Sequence, residues 1–418
     1  MAHDTRSDTL AGARNRPLAF PLGPGCGLEP HPAYARLREQ PLARVRLPHG
    51  QDAWLATRYA DVRTVLSDSR FSLAQAVGRD RPRTEAADWD QVGLMSLDPP
   101  GHTRLRSLMT KEFSARRVGR LAARARRAAD ELLDGVVAAG PRADLVGQFA
   151  VPLPLILNCE LFGVPPGHSR FRDWVEHTLF ASTVEELTAQ TENWAERVTE
   201  LLDLRRTDLG DDLLSSLVLA HDRDGTISEE ELVALVVDLV AAGFVTVTGQ
   251  IAASFYHLLI RPEALVRLAE RPELVPMAVE ELLRYVDLLD FTAPRYATED
   301  VELGGVLVQA GEPVLTSLAA ANRDAAVFTH ADELVLDRAG APHLGFGHGV
   351  HFCLGAHLAR LELRAALEAA LRRLPGLRLA VPEEDLRWRT GGIANGLQEL
   401  PVVFDAQRSP AAGEGGPR

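Results

Sequence analysis

The sequence predicts a mostly α-helical chain with small β-sheets. Three observations lead there. Helical periodicity dominates from Ala115 to Leu219. A second, longer apolar stretch begins after Ser228 and runs to about Leu259. Between such stretches lie short alternating segments bounded by Gly and Pro, the pattern of small strands and turns. The 418 residues contain no internal repeat and no interdomain linker, so one large domain is expected over 17–405. Residues 1–16 and 406–418 are polar and read as mobile tails.

In chain order, "ARVRLPHGQDAWLATRYADVRTVLSD" alternates like a hairpin around Pro48–Gly50 and then turns helical. Residues 74–96 carry no period and read as loop. The helices after Ala115 break at "AGPRAD" and "GVPPGHS". In "HDRDGTISEEEL", Ser228 and Glu231 form an S-x-x-E capping box, which starts the next helix. That helix is apolar on nearly every face, so it should cross the core. "VELGGVLVQAGEPVLTSLAAANRD" reads as short strands with turns.

Composition excludes several classes. Net charge is 45 − 58 = −13, which disfavours nucleic acid as a partner. No run of 18 apolar residues occurs, so no membrane span is expected. The N-terminus lacks an apolar signal core. Three scattered cysteines, Cys26, Cys159 and Cys353, argue against a disulfide framework and for a reducing cytoplasm. They are also too few for a zinc or iron–sulfur site built from cysteine alone.

Cys353 stands out by its setting. It lies in "HLGFGHGVHFCLGAHLARLELRAAL" (His343–Leu367), between a glycine-rich loop and a helix read from Leu354 onward. Unpaired N–H groups at a helix start favour a thiolate there. A lone thiolate suits a metal that brings its own ligands, as haem does. Phe346, Gly349, Cys353 and Gly355 fit F-x-x-G-x-x-x-C-x-G, with Gly347 inside the loop. Glycines let the loop pass close under a flat macrocycle, and Phe346 can shield the sulfur.

This motif resembles the haem-ligand signature of the cytochrome P450 family, and the resemblance extends from about Pro32 to Phe404. It implies the family's fold, with haem b buried between the long helix and the helix after Cys353, and Cys353 as the metal ligand. It implies that His102, Arg106, Arg295, His343 and His351 meet the haem propionates. His102 and Arg106 are four apart and share one helix face. It also implies a structural triad of Glu281, Arg284 and Arg338, a buried carboxylate between two guanidiniums.

In "AAGFVTVTG" the family pattern A-G-x-[D/E]-T falls on Ala242, Gly243, Phe244, Val245 and Thr246. Small Ala242 and Gly243 let the haem approach the helix. Thr246 matches the catalytic alcohol, which holds and passes a proton on the distal side. The acid position holds Val245 instead, a departure that leaves proton supply to water or to a substrate hydroxyl. Phe244, Val245, Leu289, Ile393 and Asp238 are the expected pocket residues. For Asp238 two partners are weighed: an arginine of a neighbouring helix, or a substrate cation.

The resemblance implies a monooxygenase that hydroxylates or epoxidises a small natural product, macrolide- or polyketide-like, with electrons from a ferredoxin and ferredoxin reductase. Arg104, Arg116, Arg117, Arg120, Arg360 and Arg364 would form the docking patch on a monomeric protein. Two rivals follow from Val245: a haem-thiolate binding or sensor protein that does not oxygenate, and an enzyme driven by peroxide.

Overall fold

The computed structural model describes residues 17–22, 28–84, 93–164, 194–289, 291–389 and 396–405. The expected tails, Cys26 and Ile393 lie outside them. The first third of the chain forms β1 (Leu18–Ala19), α1 (Ala33–Leu37), β2 (Leu42–Arg46), β3 (Ala53–Ala56), α2 (Tyr59–Ser67), β4 (Phe71–Ser72), α3 (Gly101–Thr110), α4 (Ala115–Gly119) and α5 (Ala122–Ala139). β5 (Arg142–Asp144), α6 (Pro152–Phe162), α7 (Trp194–Thr207), α8 (Leu213–Asp222), α9 (Glu229–Leu259), α10 (Pro262–Glu270) and α11 (Val275–Tyr285) follow. β6 (Arg295–Ala297), β7 (Val301–Leu303), β8 (Val306–Val308), β9 (Pro313–Thr316), α12 (Leu318–Asn322), α13 (Ala356–Arg373), β10 (Arg378–Leu379), β11 (Trp388–Arg389), β12 (Gly396–Leu397) and β13 (Pro401–Val403) complete the chain.

The long helix starts where the capping box places it. Ser228 Oγ accepts from Glu231 N–H at 3.2 Å, and Ser228 N–H donates to the Glu231 carboxylate at 3.1 Å. α9 then runs 31 residues to Leu259. By length and composition it could cross a membrane, with a mean hydropathy of 2.2 over its most apolar window. It instead runs through the interior, packed against α6, α7, α8, α10 and α13. The expected core helix is therefore observed.

A six-stranded sheet of order β1-β2-β3-β9-β6-β4 flanks the helices. β2 and β3 form the expected hairpin, with Leu42 opposite Ala56 and Val45 opposite Ala53. Its turn needs glycine: Gly50 has φ +81°, and a Cβ there would sit 2.0 Å from the Arg81 carbonyl oxygen. β7–β8 and β11–β12 are small hairpins, and β10-β13-β5 make a three-stranded sheet. In the segment read as loop over 74–96, the described residues hold two single 3₁₀ turns, Ala74–Ala76 and Leu94–Ser96.

The Glu281 triad is present and saturated. Glu281 accepts from Arg284 Nε at 2.8 Å and from its second nitrogen at 2.9 Å, from Arg338 Nε at 2.9 Å and from Val335 N–H at 2.7 Å. Arg284 donates onward to the carbonyls of Asn322, Ala331 and Glu333. Asn322 in turn accepts Leu344 N–H on its Oδ1 at 2.7 Å. The clamp thus fixes the chain that delivers the cysteine loop. Glu281→Ala would leave two guanidiniums without their shared carboxylate. It should cost about 3–5 kcal/mol, read as a drop in the urea midpoint.

At the far end of α9, His257 is fully enclosed beside Arg261, 3.3 Å from its Nδ1. Burial first, then the Arg261 charge, depresses its pKa to about 3. A base depressed in the fold gives stability that is complete above its unfolded pKa of about 6.5 and lost as pH falls below it, at up to about 1.4 kcal/mol per pH unit. His257→Leu should flatten the loss of urea resistance between pH 6.5 and 4 by about one proton's worth. An unchanged slope would contradict this.

Candidate active site

The cysteine loop is built by close backbone approach. Gly349 has φ +75°, and a Cβ on it would lie 2.4 Å from the Leu66 carbonyl oxygen. Its closeness is thus to α2 rather than to a macrocycle, which corrects part of the sequence argument. Gly347, at φ +71°, has no neighbour within 4 Å of a notional Cβ. Cys353 N–H donates to the Phe346 carbonyl at 2.9 Å, closing the loop. Phe346 sits beneath the Arg360 guanidinium, 4.6 Å from ring centre to carbon.

The thiol differs from expectation in one respect. α13 begins at Ala356, with Gly355 as its cap, so Cys353 lies just before the helix rather than on its first turn. Burial pushes the Cys353 thiol up, and the Gly355 N–H, Arg106 and Arg360 only partly oppose it. The protein alone therefore keeps this sulfur protonated. A metal ion bound at the sulfur would supply what the helix end does not.

A buried cationic cluster stands beside the loop. His102 is buried on α3, and its ring lies 4.1 Å from that of His351. Arg106, one turn on, donates to the Phe352 carbonyl at 2.5 Å. Arg295 opens β6 and is buried, with one 3.5 Å bond to the Phe71 carbonyl. Both ring nitrogens of His102, Nε2 of His351 and Nε of Arg295 are buried without a hydrogen-bond partner. Burial, reinforced by repulsion from neighbouring cations, lowers His102 and depresses His351 to about 3; burial alone, opposed by Asp98, brings Arg295 down to about 10. Unsatisfied buried donors are costly, so this cluster fits a ligand with anionic oxygens.

His343 does not join it. Its Nε2 meets the Glu280 carboxylate at 3.2 Å, and its Nδ1 accepts Gly345 N–H at 3.0 Å. Glu280 also takes Arg360 through two bonds of 2.6 and 2.8 Å. Against burial, Arg360 and His343 hold the Glu280 carboxyl down to about 2. Both His343 nitrogens are therefore occupied in fixing the loop to α11.

On α9, Ala242 is exposed within an otherwise enclosed helix. Thr246, one turn on, donates its hydroxyl hydrogen to the Ala242 carbonyl at 2.7 Å. Gly243 points elsewhere: a Cβ there would meet Asn158 Oδ1 of α6 at 3.2 Å. Its smallness serves helix packing, which corrects the expectation for this residue. Phe244 and Val245 are buried in the main core and do not form an open wall. Leu289 is partly buried and packs against the same core. Asp238 is buried and has no arginine partner among the described residues; the Leu94 and Met95 N–H groups face it, and its Oδ2 lies against Gly93.

The sequence reading missed Glu362. It is wholly buried on α13, and burial alone raises its carboxyl well above the usual range. Asn158 donates to it at 3.5 Å. Its spacing of four from Leu358 and from Ala366, both buried, was the available signal.

The arginine patch is largely neutralised. Arg104 pairs with Glu231, Arg117 with Glu112 and Asp211, Arg120 with Asp211, Arg360 with Glu280, and Arg364 with Glu368. Arg116 is exposed.

The cytochrome P450 family model matches residues 142–376. The chain belongs to the cytochrome P450 family. Mycinamicin IV hydroxylase/epoxidase of Micromonospora griseorubida is 50% identical over 395 residues, covering 93% of this chain and 99% of that protein. Nocardicin C N-oxygenase of Nocardia uniformis subsp. tsuyamanensis is 48% identical, covering 96% and 100%. Among solved structures, the mixed-function P450 MycG superposes with TM-score 0.87 at 49% identity, and HinD with 0.88 at 47%, each covering 93% of this chain and all of the other. This P450 is a haem-dependent monooxygenase of bacterial type.

Proposed function

We propose that this P450 hydroxylates or epoxidises a macrolide-like natural product, with Cys353 as the axial thiolate and His102, Arg106, Arg295 and His351 holding the haem propionates. The observation that carries the site assignment is the set of buried, partnerless donors on His102, His351 and Arg295 beside the Cys353 loop. Two carboxylates placed there would satisfy groups that otherwise carry a desolvation cost. Bound at this site, haem b with a thiolate ligand supplies the O–O cleavage chemistry by which one oxygen atom enters the substrate. Cys353 gives up its proton on ligation. The α9 face at Ala242 admits a flat group close to the helix. Thr246 holds a hydroxyl one turn from Ala242 and can turn from its carbonyl bond to pass a proton. Val245, an alkyl group buried in the core, cannot feed it. Water or a substrate hydroxyl therefore supplies the proton.

The macrolide-like substrate class rests on the mycinamicin-acting relative at 50% identity. The similarly close relative named for N-oxygenation makes nitrogen oxidation the second reading. Electrons come from a ferredoxin and its reductase in the cytoplasm. With most of the arginines paired, docking relies on Arg116 and on the exposed Val350 and Phe352 of the cysteine loop. Turnover with mycinamicin-type macrolides and with amine substrates, products read by mass spectrometry, separates C–H oxidation from N-oxidation. No turnover of either class would overturn the substrate assignment.

Cys353→Ala should abolish the red-shifted Soret band of the reduced CO complex, whereas Cys159→Ala keeps it. Persistence of the band in Cys353→Ala would overturn the ligand assignment. Thr246→Ala should bind ligand normally yet lower product formed per NADPH several-fold, with the lost reducing equivalents recovered as peroxide. Unchanged coupling would move the proton source wholly to the substrate.

A further inference from the structure

Asp238 is an acid that the family pattern does not assign, and it is buried in an apolar stretch of α9. The backbone N–H groups of Leu94 and Met95 face its carboxylate and favour its charged form. Its Oδ2 has no hydrogen-bond partner and lies against Gly93, where a Cβ would come within 2.2 Å of it and 2.8 Å of Cγ. Only glycine fits at 93 while the carboxylate stays in place. Ser96 locks the same turn, its Oγ accepting Gly93 N–H at 3.1 Å and its N–H donating to the Gly93 carbonyl at 3.1 Å.

The segment is tied at its other end by a second acid. Asp98 accepts from the Ser72 hydroxyl and from Leu73 N–H at 3.1 Å, on the β4 side. It stands four residues before His102. Asp238 lies four residues before Ala242, so it is one turn, about 6 Å, along nearly the same stripe of α9.

We propose that Asp238 is a positioning residue that clasps Gly93–Leu97 to α9 and so controls the release of bulky ligands from the space beside Ala242. The proposal rests on the reading that this face of α9 borders the haem. The clasp sets one carboxylate of α9 close against the backbone of a 3₁₀ turn at Gly93, with the Leu94 and Met95 N–H groups facing it. Gly93 gives it specificity, since any side chain there displaces the acid.

The clasp has a predicted pH response. Burial raises the Asp238 carboxyl to about 6, with the Leu94 and Met95 N–H groups opposing. No charged side chain contributes to that shift among the described residues. Two turns up α9, Glu231 is paired with Arg104 of α3, and Asp98 is satisfied at the far end of the segment. Lifting the segment admits water and returns the carboxyl toward its ordinary value of 3.8. Closing therefore takes up a proton, and the closed form gains as pH falls through about 6.

The test uses the haem-loaded protein and two triazoles that ligate ferric haem and do not titrate in this range: bulky fluconazole and small 1-methyl-1,2,4-triazole. In Asp238→Ala and Gly93→Ala, fluconazole release should speed at least about five-fold, and release of the small triazole should change less than about two-fold. Amide exchange at Leu94 and Met95 should rise in both variants. Wild-type fluconazole release should slow on lowering pH from about 7.5 to 5.5, and Asp238→Asn should be flat. Unchanged exchange and release would overturn the proposal, as would equal acceleration of both triazoles. Loss of the reduced-CO band in Asp238→Asn would overturn it too, by making the residue part of the fold. Absence of any triazole spectrum in wild type would instead strike at the haem assignment itself.

Discussion

The Glu281 carboxylate is the interaction on which the rest of the site depends. It is buried, and it holds Arg284, Arg338 and the Val335 N–H together. A carboxylate so enclosed is tolerable only because every lone pair meets a donor. What it gains the fold is position. Arg284 ties down the carbonyls of Asn322, Ala331 and Glu333, and Asn322 then takes Leu344 N–H at the start of the cysteine loop. A second ionic link, Glu280 with Arg360 and His343, fixes the loop to α11 and α13. The sulfur of Cys353 is thus placed by charges lying outside the site it serves.

The site itself gathers buried polar groups that lack partners. His102, Arg106, Arg295 and His351 converge, burial favours the neutral form of both histidines, and the nearby carboxylate of Asp98 is already engaged with Ser72 and Leu73. The thiol beside them is held neutral by burial. Apolar packing explains neither feature. Both are resolved by one ligand that carries carboxylates at its edge and a metal at its centre. The structure and the family membership therefore support the same cofactor by independent routes.

Much of this was legible in the sequence, and the limits are instructive. The α9 boundaries followed from Ser228 and Glu231 because a capping box is local chemistry. The hairpin at Gly50 followed from alternation around a turn, and the Glu281 triad from the resemblance to the P450 family rather than from spacing alone. Less legible was anything that depends on which way a side chain turns. Gly243 looked like a haem-facing residue but packs on Asn158. His343 looked like a propionate donor but serves Glu280. The helix start beside Cys353 suggested a lowered thiol pKa, whereas burial, invisible in a sequence, outweighs it. The arginines read as a docking patch pair with acids such as Asp211 and Glu231, which come from distant parts of the chain.

Val245 leaves the distal face of α9 with one hydroxyl, Thr246, and no acid next to it. Asp238, one turn before Ala242, is turned away toward Gly93. Under the proposed function the proton would then come from solvent or substrate. The account as a whole stands on the claim that the buried donors await the carboxylates of haem. A crystal structure of the haem-loaded protein tests this most directly. The account predicts propionate oxygens within about 3.2 Å of His102, Arg106, Arg295 and His351, with His343 still on Glu280. Propionates directed to solvent, with the His102 nitrogens still unpaired, would contradict it.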